Sequence, residues 1–102
     1  MANPVGHDTT GIGHGLKTVT SAGTDEALVS QITWAKWVTI QAQTDNTGII
    51  AVGGAGVDAT VATGTGVALL AGAMLTIPCE DLKDIYIDAT VSGDGVRYTY
   101  GT

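Results

Sequence analysis

Phenylalanine is absent, cysteine occurs once, proline twice, and only four of 102 residues are basic. Each shortage excludes something. Lys17, Lys36, Lys83 and Arg97 stand against ten carboxylates, leaving a net charge of −6. Nucleic acid is held mainly by neutralising phosphates, and four scattered cations form no basic stripe, so a nucleic-acid partner is not expected. The same shortage argues against an anionic membrane surface. No apolar run approaches the length needed to span a bilayer. The opening residues Met1 to Asp8 have neither the basic nor the apolar region of a signal peptide, which predicts a soluble chain made in a cytoplasm.

Cys79 has no partner for an internal disulfide and lies in the apolar stretch 74–79, where it reads as a small buried hydrophobe. A nucleophilic role would need a histidine, and His7 and His14 sit far away in a glycine-rich N-terminal segment. Two histidines fall short of the three or four ligands zinc takes. The His-x-His pair and later histidine of cupin-type metal enzymes are missing too, since no histidine follows position 14. The carboxylates are spread along the chain, mostly in turn positions where Asp caps backbone amides. The run 80–84 lacks the alternating ligands and glycine of a calcium loop. Gly53-Gly54-Ala55-Gly56 and Gly64-Thr65-Gly66 follow strands, yet neither leads into a helix bearing the Lys-Ser/Thr pair of a phosphate cradle. The expectation is no catalytic residue, no cofactor and no metal.

What the chain does have is 15 glycines and an abundance of Thr, Val and Ala. Thr and Val are stiff at their first side-chain torsion and suit pleated backbone, while Gly marks turns. Residues 1–15 read as a flexible Gly-rich arm, either frayed or ordered on a neighbouring subunit, and 16–102 as one β domain. Leu16–Ser21 alternates as a first strand. The segment 26–32 fits a short strand or a helical turn. In 35–44, Val38, Ile40 and Ala42 face one way, and Trp37, Thr39 and Gln41 the other. The turn 45–48 then predicts a hairpin with 49–52. Val57–Val61 alternates again, and 67–70 is a short apolar run. Pro78 marks 73–79 as an edge strand or a strand end. Residues 85–91 and 96–100, joined by Ser92-Gly93-Asp94-Gly95, read as a second hairpin. Seven or eight short strands at such spacing predict an all-β sandwich or small barrel.

Aromatic residues supply the candidate contacts. Trp37 shares a strand face with Thr39 and Gln41 and reads as an interface residue, whereas Trp34 reads as a cap on the open end of the sandwich. Tyr86, Tyr98 and Tyr100 are candidates for a similar patch, and His7 and His14 are polar residues of the arm.

Val38-Thr39-Ile40-Gln41-Ala42 with Asp45-Asn46-Thr47-Gly48, Ile50-Ala51-Val52-Gly53-Gly54, Leu70-Ala71-Gly72, and Asp84-Ile85-Tyr86-Ile87-Asp88-Ala89 with Ser92-Gly93-Asp94-Gly95-Val96 give the last two-thirds of the chain a resemblance to small tailed-bacteriophage virion proteins. It resembles the jelly-roll capsid decoration, or cement, proteins. The resemblance implies a jelly-roll-like sandwich of antiparallel strands and a homotrimer on the capsid exterior. There it would bind major capsid protein subunits and stabilise their contacts, without enzymatic activity. Two other expectations compete: a carbohydrate- or receptor-binding module of a tail or fibre that uses the Trp and Tyr rings, and a head–tail connector subunit.

Overall fold

The alternation of β3 sets the core. In Trp37–Ala42, the inward side chains Val38, Ile40 and Ala42 are wholly buried, and the outward ones are not. The computed structural model describes residues 11–102. Its strands are β1 (Ile12–Thr18), β2 (Glu26–Ala27), β3 (Trp37–Ala42), β4 (Ile50–Gly53), β5 (Val67–Leu69), β6 (Met74–Pro78), β7 (Tyr86–Ala89) and β8 (Gly95–Gly101). A single 3-10 turn, Leu82–Asp84, is the only helical element among the described residues, and it sets Leu82 into the core.

Two antiparallel four-stranded sheets form, in the orders β1-β8-β3-β6 and β2-β7-β4-β5. This is the jelly-roll arrangement, in which most connections cross from one sheet to the other. Ile40, Val38 and Val96 of the first sheet pack against Ile50, Val52 and Ile87 of the second.

Both expected hairpins are overturned. β3 and β4 lie in different sheets, and so do β7 and β8. Among consecutive strands, only β4 and β5 pair with each other. The turns 45–48 and 92–95 are crossover corners, and they lie side by side. Asn46 donates from its side-chain nitrogen to the Gly95 carbonyl (2.8 Å), and its side-chain oxygen accepts the Gly95 N–H (2.9 Å). The Asp94 carboxylate accepts the N–H groups of Thr47 (3.2 Å) and Gly48 (2.8 Å). Both segments do turn the chain, but neither Asn46 nor Gly48 takes a positive φ, and these long-range bonds direct the chain across the sandwich.

Val57–Val61 is not a strand. Its alternation arises because Val57 and Ala59 are buried in a second small cluster with Ala51 and Tyr86, against the outside of the β2-β7-β4-β5 sheet. The long β4–β5 loop thus roofs that sheet. The segment 26–32 supplies the two-residue strand β2 and then irregular chain. The first strand begins at Ile12, so 12–15 belongs to the sheet and not to an arm. Alternation in Gly13-His14-Gly15 is hidden because the inward positions carry no side chain.

Candidate interaction surface

With one sheet roofed by its own loop, the outside of the β1-β8-β3-β6 sheet is the broad bare face among the described residues. Strand register assigns its side chains. Ile12, Gly101, Trp37 and Pro78 form one row, His14, Thr99, Thr39 and Thr76 the next, and Leu16, Arg97, Gln41 and Met74 the third. Ile12 (76% exposed), Leu16 (65%), Met74 (65%) and Trp37 (36%) are thus large apolar groups left in water on a single face. The centre is polar and self-satisfied: the Thr39 and Thr76 hydroxyls are 2.7 Å apart, and Arg97 Nε donates to Gln43 Oε1 at 3.2 Å. The Trp37 indole lies across Gly101, in the space a Cβ there would need.

None of the chain's carboxylates among the described residues is on this face. Most are occupied elsewhere by backbone amides. Glu26 accepts the N–H groups of Thr20 and Ser21 and pairs with Lys17 at 3.0 Å. Burial works to raise the Glu26 pKa, but the Ser21 amide, the Lys17 ammonium and the Thr20 amide outweigh it and hold the group below the ordinary range. The Thr60 hydroxyl and N–H lower Asp58, and the N–H groups of Thr33 and Lys83 lower Asp81. Asp88, 1% exposed, accepts from Gly23 on one oxygen (3.0 Å) and from Ala59 on the other (2.9 Å), fastening the roof loop to β7.

The predicted contact residues separate. Trp37 and His14 are on the bare face. Tyr98 and Tyr100 are beneath it, on the inward side, because they share rows with Ile40 and Val38. Their rings stack at 6.2 Å between centroids and fill the space left by Gly15 and Gly13 on β1. Burial, helped by Tyr100 beside it, pushes the Tyr98 hydroxyl pKa up. Tyr86 is under the roof loop on the other sheet. Trp34 is 66% exposed beside Asp81, to which it makes an isolated bridge, so it does not cap the core; Leu82 fills the interior there. His7 lies outside the described residues. The aromatics therefore do not assemble into one stacking platform.

The chain matches no family model, no curated protein and no solved structure.

Other chemistry is sparse. Among the described residues no group of three or more His, Cys, Asp and Glu is arranged to hold a metal ion, and no helix is long and apolar enough to cross a membrane. Cys79 is partly buried against the core, and burial together with Asp81 and Asp84 raises its thiol pKa, which suppresses the thiolate. Ile12, Leu16 and Met74 are not among the contact residues expected from the sequence. Their signal was present in the strand pattern: apolar residues at outward positions of β1 and β6, opposite inward Gly13, Gly15, Leu75 and Ile77.

Proposed function

We propose that this chain is a bacteriophage capsid decoration protein, working as a homo-oligomer on the capsid exterior and bracing contacts between major capsid protein subunits. The observation that carries the reading is the bare, carboxylate-free sheet face with Ile12, Leu16, Trp37 and Met74 exposed on it. These four large apolar side chains stand exposed around a polar centre, giving the face separate anchors for a partner. Burying each of them fully against a partner contributes about 1.5–3 kcal/mol. A flat face suits many modest contacts repeated over a shell. The resemblance of 38–100 to virion proteins adds to this reading, and the homotrimer it implies is the assembly we propose on the shell.

Copy number per virion, measured by quantitative mass spectrometry against the major capsid protein, tests the proposal. A ratio near one to one supports decoration; about one in thirty or fewer moves the chain to a connector or tail module. Absence from virions overturns the proposal altogether.

A further inference from the structure

Each sheet has two edges, and three of the four are blunted. β2 has two residues and β5 three, too short to template a partner strand. β6 ends in Pro78, which has no N–H to offer. β1 differs. It runs for seven residues in unbroken register with β8, with no proline and no bulge, and its one charged residue, Lys17, is neutralised by Glu26. Its other edge has no strand partner among the described residues.

The bonds at its two ends fix which groups are open. Thr102 N–H donates to the Gly11 carbonyl (2.9 Å), and Val19 N–H donates to the Asp94 carbonyl (2.9 Å). Odd-numbered residues therefore bond to β8, and Ile12, His14, Leu16 and Thr18 turn their N–H and C=O groups to the open edge.

We propose that β1 is an association edge, on which Ile12–Thr18 of one copy pairs antiparallel with Ile12–Thr18 of a second about a two-fold axis at Gly15. Pairing all seven residues sets Ile12 opposite Thr18 and His14 opposite Leu16. Each copy then donates about four N–H groups and accepts about four. Gly15 meets Gly15 at the axis, in the close non-bonded position, where side chains would crowd. Lys17 meets Gly13 of the second copy, so like charges do not meet. Two chains of net charge −6 repel through their carboxylates; the strand and the face beside it contribute none, and Glu26, which reaches the edge from β2, is neutralised by Lys17. Charge thus favours a second copy here over a basic partner, which the carboxylate-bearing parts of the surface would draw. The two bare faces merge into one of double width. The inference stands on the edge alone and does not need the capsid reading. Trimers joined in this way come in pairs, so the subunit number is even.

Light scattering of the full chain across a concentration series, with amide hydrogen exchange followed residue by residue, tests the pairing. The expected result is an even number of subunits, with the Ile12, His14, Leu16 and Thr18 amides becoming protected as concentration rises. His14→Pro removes one open-edge donor without touching a β8 bond, and it should halve the mass. Met74→Pro, the same change on the open side of β6, should not. Should His14→Pro fail to fold, Leu16→Lys on the exposed face places a cation against His14 of the second copy and should halve the mass as well. A monomer or lone trimer at every concentration, or protection of those amides in a monomer, overturns the proposal.

Discussion

Asp88 and Ala59, 29 residues apart in sequence, are joined by a hydrogen bond of 2.9 Å from the Ala59 N–H to one oxygen of a carboxylate that is 1% exposed. Its other oxygen takes the Gly23 N–H at 3.0 Å. Both oxygens are acceptors, so Asp88→Asn must turn an NH2 group toward an N–H. The expected cost is about 1–3 kcal/mol, the penalty of a buried polar group left unmatched. Asp81 differs, because one oxygen accepts both Thr33 N–H (2.8 Å) and Lys83 N–H (3.0 Å). An Asn amide oxygen reproduces that, so Asp81→Asn should cost less than half as much. Urea unfolding of the two variants checks the order; equal losses would refute it.

Acid should unfold the protein through its amide-bound carboxylates. Glu26, Asp58 and Asp81 all have folded pKa values below their ordinary ones. The unfolded chain therefore takes up protons first as pH drops. Their contribution to stability is complete above the ordinary carboxylate values and is lost as pH falls below about 4 toward the lowered folded values. Urea midpoints measured from pH 6 down to pH 2 should show this fall. Replacing Asp58 and Asp81 together by Asn should make it shallower, since the amides keep their acceptor oxygens and no longer titrate. An unchanged acid slope would show that these groups do not govern it.

The core and the bare face should respond oppositely to truncation. Ile40, wholly buried between the sheets, should cost about 2–5 kcal/mol as Ile40→Ala. Ile12→Ala and Met74→Ala, at 76% and 65% exposure, should change stability by no more than about 0.5 kcal/mol. The same two variants should weaken binding to capsid shells, as read by co-sedimentation. Loss of stability comparable to that of Ile40→Ala would make the face a structural element and not a contact surface.

The sandwich was legible because its central strands alternate strictly. Val38, Ile40 and Ala42 in β3, and the edge position of Pro78 in β6, follow from side-chain period and from proline's missing donor. The connections were not legible. A turn of Asp, Asn and Gly closes a hairpin or carries the chain to the opposite sheet, and the choice between them rests on partners such as Asn46 with Gly95 that lie far apart in sequence. Val57 to Val61 misled for a related reason: period-two burial arises wherever extended chain lies on a sheet, whether or not it pairs. At the candidate site, strand parity places Trp37 on the outward face. Tyr98 and Tyr100 face inward, a packing that depends on glycines at Gly13 and Gly15, in a segment whose lack of side chains hides its strand character.

The position of β8 bears on how the chain acquires its structure. It is the last of the strands in chain order, yet it lies between β1 and β3 in the middle of its sheet. Until it emerges from the ribosome, β1 lacks its one strand neighbour among the described residues and β3 lacks one of its two. Most of the remaining strand pairs also join segments far apart in sequence, which makes the search for native pairing slow. Chains that have not yet delivered β8 therefore leave β1 and β3 open to strands of other nascent chains.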